Sequence, residues 1–82
     1  MSDFIELKQK QAAVILAESQ SYEMAARRLG ISVSELETEI ESLESKLCLF
    51  IFQRNKDLAL LTEDGGYLIG LFREALSRHE GI

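Results

Sequence analysis

Eighty-two residues, 46% of them hydrophobic and 28% charged, with no proline, describe one small folded domain and exclude a disordered tail. Fourteen acids against nine bases leave a net charge of -5, which argues against the broad basic footprint usual for a nucleic-acid binder. No apolar run approaches the ~20 residues of a membrane span, and the start Met-Ser-Asp-Phe-Ile-Glu lacks the pattern of a signal peptide, so a cytoplasmic protein without membrane contact is expected.

Phe4, Leu7, Val14, Ile15 and Leu16 form an approximate helical stripe that predicts a first helix over 4–18, with Lys8, Lys10 and Gln11 facing water. Ser21 is placed to cap a second helix reaching about Leu29, and Gly30 supplies a left-handed stop. Tyr22, Ala25, Ala26 and Leu29 make its inner face, where the alanines let a neighbouring helix come close. The third helix has the clearest start in the chain, because Ser32 and Glu35 are spaced as a reciprocal capping box. Leu36, Ile40, Leu43 and Leu47 then set an apolar stripe against the core. Residues 21–47 therefore read as a helix-turn-helix.

Beyond Cys48, the apolar runs Leu49 to Phe52 and Leu58 to Leu61 flank polar Gln53 to Asp57 and suit two short strands around a turn, a wing over 50–61. Thr62 caps a final helix over 63–79, with Glu63 and Asp64 complementing its dipole and Leu68, Leu71, Phe72, Ala75 and Leu76 as its stripe. Gly65-Gly66 weakens the first turn of that helix. The expected fold of residues 1–82 is mainly α, a single winged helix-turn-helix domain of three helices, a short two-stranded wing and a C-terminal linker-type helix.

Catalysis is not expected. The lone Cys48 can make neither an internal disulfide nor a metal site by itself and reads as a small buried apolar side chain at a helix end. His79, the only histidine, falls in a last helical turn, where interaction with the helix dipole is its ordinary role. With no Ser-His-acid set, phosphate-cradling glycine loop or metal-ligand spacing, neither enzyme activity nor a cofactor is implied.

The third helix carries the chemistry. With its core stripe inward, Ser34, Thr38, Glu41, Ser42 and Ser45 point outward, and Glu35 and Glu37 lie at the flanks. Between Ser32 and Leu47 stand five glutamates and one lysine. Taken singly, each glutamate is explained as a solvated charge or, for Glu35, as a cap. Together they are harder to dismiss, because Glu37 and Glu41 repel at i,i+4 without a compensating base. One carboxylate about 7 Å from a phosphate costs only about 0.6 kcal/mol in water, but several facing many phosphates add up.

From about Ala17 to Leu68 the sequence resembles, without gaps, the N-terminal domain of the LysR-type transcriptional regulators. The shared pattern is Glu18, Ser21-Tyr22 and Ala25-Ala26-Arg27-Arg28-Leu29, then Ser32, Leu36, Ile40 and Leu43-Glu44, then Ile51-Phe52-Gln53-Arg54 and Leu61-Thr62-Glu63-Asp64-Gly65. Val33-Ser34 replaces the family's usual Gln-Pro, Glu37-Thr38-Glu39 replaces a phosphate-binding Ser followed by Arg or Gln, and Glu41-Ser42 replaces basic residues. Cys48 stands at a glycine position, and Ala13 at an aromatic one.

The resemblance implies a DNA- or partner-facing set of Ser32, Val33, Ser34, Glu37, Thr38, Glu41 and Ser42, with Ser21, Arg27, Arg54 and Lys56 as candidate phosphate contacts. Arg28 and Arg54 are expected to make internal salt bridges, with Glu44 as partner, which leaves Lys56 as the better phosphate ligand. It also implies a homodimer through the last helix, using Tyr67, Leu68, Leu71, Phe72, Ala75 and Leu76. The acidic recognition helix points to DNA binding that is weak or altered. The alternative is a winged-helix module that no longer binds DNA and meets a basic protein partner as adaptor or antagonist.

Overall fold

Helices α1 (Leu7–Ser19), α2 (Tyr22–Leu29) and α3 (Val33–Leu47), strands β1 (Phe52–Asn55) and β2 (Leu58–Leu61), and helix α4 (Glu63–Glu80) succeed one another in a computed structural model that describes residues 5–80. Phe4 and the side chain of His79, both singled out in the sequence, lie outside what is described.

Helix α1 is the hub on which α2, α3 and α4 pack. Ala12, Ala13 and Leu16 are buried on it, and the short alanine side chains let neighbouring helices crowd one cylinder. The stripe read from the sequence holds at Val14 and Leu16, which are buried, and at half-buried Ile15, but not at Leu7, which is 39% exposed, and it omits the buried Ala12, Ala13 and Gln9. A helix covered on several sides has no single apolar face to display.

The helix ends obey local chemistry. The Ser21 hydroxyl accepts from the Met24 amide at 3.1 Å, and Gly30 closes α2 at φ 72° with its own amide on the Arg27 carbonyl. Ser32 and Glu35 exchange hydrogen bonds of 3.0 Å, which satisfies two amides at the start of α3. At the far end Cys48 takes the left-handed conformation, φ 57°, that a glycine would adopt without steric cost. Its thiol is exposed rather than buried and lies 3.7 Å from the Ser45 carbonyl in the last turn of the helix.

The two strands pair antiparallel, with Phe52 opposite Leu61 and Asn55 opposite Leu58. Pairing starts at Phe52, two residues inside the wing of 50–61 expected from the sequence. The partner strand ends at Leu61, because α4 begins at Glu63, and Glu44 Oε2 accepts from the Ile51 amide at 2.7 Å and the Phe52 amide at 3.1 Å, which pins the incoming segment to α3. Strand β2 is tied to the other side of the molecule, where the Ala59 amide donates to the Gln20 carbonyl at 3.1 Å. In α4, Thr62 Oγ1 accepts from the Gly65 amide at 2.9 Å, and the glycine is needed there: a Cβ would stand 2.0 Å from the Ile51 carbonyl oxygen. What looked like a weakness in the helix start is the point where α4 presses against the wing.

Leu16, Leu36, Leu43 and Ile51 are the largest fully buried side chains, one each from α1 and the wing approach and two from α3. Each contributes roughly 1.5–3 kcal/mol by leaving water.

Candidate nucleic-acid interface

The exposed strip of α3 consists of Ser34, Thr38, Glu41 and Ser45, spaced four, three and four residues apart. Ser32 and Glu35 form the cap at its beginning, and Val33 is partly buried against the core. Ser42, expected on the outward face, instead turns toward α1, where its hydroxyl accepts from Gln9 Nε2 at 3.2 Å. The other end of that glutamine accepts from Lys46 Nζ at 3.0 Å and from the Glu6 amide at 3.2 Å. Gln9 is therefore a buried polar bridge between α1 and α3. Its sequence signal was its position three and four residues before Ala12 and Ala13, on the same inward face.

Four of the five α3 glutamates have work inside the domain. Glu35 caps, Glu44 anchors the wing, Glu39 pairs with Lys8 at 3.3 Å, and Glu37 pairs with Arg54. Glu41 has no hydrogen bond or ion pair among the described residues and is exposed. The base that compensates Glu37 comes from the wing, which sequence spacing on the helix could not reveal.

Arg54 is held from several directions. Its Nη1 meets Glu37, its Nε donates to the Lys56 carbonyl at 2.8 Å, and its guanidinium lies 4.1 Å from the centroid of the Tyr22 ring. Burial pushes the Tyr22 phenol above its ordinary value, with the arginine partly opposing that shift. The partner of Arg54 is thus Glu37 and not Glu44. Arg28 likewise misses Glu44 and pairs with Glu18 at 3.3 Å and the Ser19 hydroxyl at 3.2 Å, while Arg73 of α4 approaches the same carboxylate at 3.7 Å. Glu44 instead gives its Oε2 to the two wing amides.

Ser21 does not offer a free hydroxyl. Besides accepting from Met24, it donates to Asp57 Oδ2, while Asp57 Oδ1 accepts from the Glu23 amide at 3.0 Å and the Asp57 carbonyl from the Tyr22 amide at 3.0 Å. These bonds, the Ser21 hydroxyl first, hold the Asp57 carboxyl below the usual carboxylate range. They latch the hairpin turn onto α2. Nothing local in the sequence marks Asp57 for this role. Lys56, next to it at φ 59°, projects an exposed side chain, and Arg27 is exposed on the last turn of α2. Neither has an ion pair among the described residues.

On α4, Tyr67 and Leu71 are 72% and 44% exposed, one turn apart. Leu68, Ala75 and Leu76 are half-buried, but Phe72 is buried in the domain's own core and is corrected from surface to interior. No helix among the described residues is long and apolar enough to cross a membrane, and among them no group of His, Cys, Asp and Glu is arranged to hold a metal.

Residues 7–66 match the family described as bacterial regulatory helix-turn-helix protein, lysR family. The uncharacterized HTH-type transcriptional regulator YbhD of Escherichia coli is 35% identical over 75 residues, covering 92% of this chain and 24% of that protein. The chain thus spans about a quarter of that relative's length. Full-length OxyR from Pseudomonas aeruginosa superposes with a TM-score of 0.89 at 28% identity, over 94% of this chain and 26% of that one. The BenM DNA-binding domain, solved with benA site 1 DNA, gives a TM-score of 0.88 at 26% identity, over 93% and 85%.

Proposed function

This chain belongs to the lysR family of bacterial regulatory helix-turn-helix proteins, and we propose that it meets DNA through α3 with little electrostatic help, so that sequence-independent affinity is weak. One observation carries this reading: the exposed strip Ser34, Thr38, Glu41 and Ser45 holds no cation, and the wing arginine nearest to it is committed to Glu37. Lys56 and Arg27 are left to contact phosphate. Duplex DNA offers about one charge per 1.7 Å, and a protein with few phosphate contacts releases few counterions. Fluorescence titration with mixed-sequence duplex should therefore show weak binding with a shallow salt dependence. Glu41→Arg should raise affinity and steepen that dependence. An unchanged titration for this variant would mean that the strip does not face DNA.

The domain is further read as one half of a homodimer joined through α4. Exposed Tyr67 and Leu71 supply the apolar contact, and Phe72 supports it from the core. Sedimentation at tens of micromolar that shows only the 9.3 kDa monomer would remove this reading.

A second function is favoured by Phe50, which is 73% exposed and borders a shallow cleft with Glu41, Glu44, Ser45, Cys48 and Leu49. An apolar and acidic patch suits a basic protein partner, with the domain acting as adaptor or antagonist. Complete absence of salt-sensitive DNA binding would select this function over the first.

A further inference from the structure

A recognition helix of this kind reads bases with the side chains of its opening turns. Between Val33 and Glu41 there is no Arg, Lys, Asn or Gln, so the bidentate pairs that identify guanine or adenine cannot form. Three of the four glutamates in this stretch are already engaged, Glu35 by the Ser32 amide, Glu37 by Arg54 and Glu39 by Lys8. Ser34, Thr38 and Glu41 remain exposed. Glu41 sits in the third turn, farther from the end that enters the groove, and a serine hydroxyl accepts or donates to several bases without choosing among them.

Thr38 differs from both. Its Oγ1 donates to the Ser34 carbonyl at 3.1 Å, the back-bond open to a hydroxyl one turn along a helix. With its hydroxyl proton committed to the backbone, Oγ1 can offer a ligand only an acceptor, and the branched side chain, stiff about χ1, presents its methyl group beside it. In the major groove a methyl finds its apolar counterpart in the C5 methyl of thymine.

We infer that Thr38 is a specificity-determining residue of this domain and that its methyl group selects thymine at one major-groove position. This rests on the DNA-binding reading above. The test begins with selection of duplexes from a randomised pool by the wild-type domain. Fluorescence anisotropy then compares each enriched thymine with deoxyuridine, which lacks only the C5 methyl. The expected result is one position where deoxyuridine raises Kd about four-fold, the value of one buried methyl-sized group. Thr38→Ser, which keeps the back-bonding hydroxyl, should bind both duplexes equally, and Thr38→Val should retain the discrimination. Equal wild-type Kd values for thymine and deoxyuridine at every enriched position would overturn the inference and leave the DNA-binding reading standing. Failure of the wild type to bind any duplex would overturn both.

Discussion

Glu37→Gln should strengthen DNA binding, because it frees a cation that the fold already aims. The guanidinium of Arg54 is positioned by the Lys56 carbonyl at 2.8 Å and by the Tyr22 ring at 4.1 Å as well as by Glu37. Removing the carboxylate leaves the first two constraints in place, so the arginine stays beside the turn of the wing without its ion-pair partner. One added phosphate contact steepens the slope of log K against log salt by about 0.9. That slope corresponds to a gain of about eight-fold at 0.1 M salt relative to 1 M, falling to about three-fold at 0.3 M. The domain should remain folded, since an ion pair whose side chains are 43% and 35% exposed contributes only about 0–1 kcal/mol. Anisotropy titrations of wild type and variant at several salt concentrations, with thermal melts to confirm equal folding, measure the effect directly. An unchanged slope, or an affinity no higher than wild type at 0.1 M salt, would refute the view that Glu37 withholds Arg54 from DNA.

Three further outcomes follow from the contacts around α3 and the wing. Glu44→Ala should lower stability by about 3 kcal/mol, about 1.5 for each amide bond to a charged acceptor, and a urea midpoint within 0.5 M of wild type would contradict its anchoring role. Cys48→Gly should raise stability by about 0.5 kcal/mol, as relief of the left-handed conformation at φ 57° outweighs the added freedom of the unfolded glycine, and calorimetry should show a higher Tm. Because the Asp57 carboxyl is held below its ordinary 3.8, its contribution is fully present above that pH and is lost as pH falls through the lower folded value. Acid unfolding followed by circular dichroism should therefore be steeper for wild type than for Asp57→Asn, and parallel curves would show that the latch does not hold.

The helix-turn-helix was legible because its signals act over a few residues. Ser21, Gly30, Ser32 and Glu35 each bond within one turn of their own position, so spacing alone identifies them. The face of α1 was not legible, since the choice among Leu7, Gln9, Ala12 and Ala13 depends on three neighbours that arrive later in the chain. The start of β1 was misplaced for a similar reason. Hydrophobicity favours a strand from Leu49, but the partner strand stops at Leu61 where α4 begins, so nothing is left to pair with Leu49 and Phe50. Cys48 was expected to follow the burial habit of its residue type, whereas it caps the helix end at φ 57° with an exposed side chain.

Counting charges along α3 exposed a conflict between scaffold and surface, but only tertiary contacts assign each charge a consequence. Glu37 finds its partner seventeen residues away and Glu39 finds one on α1, so the helix is less repulsive than its composition suggests. The same contacts withdraw Arg54 and Lys8 from any phosphate, because neutralising the helix and disarming the cations are one arrangement. On the reading proposed above, weak affinity then arises more from missing cations than from repelling acids. The distinction has a measurable form. Glu37→Gln releases a placed guanidinium, whereas Glu41→Gln removes an exposed charge that restrains nothing, so the first should steepen the salt dependence and the second should shift affinity while leaving the slope nearly unchanged.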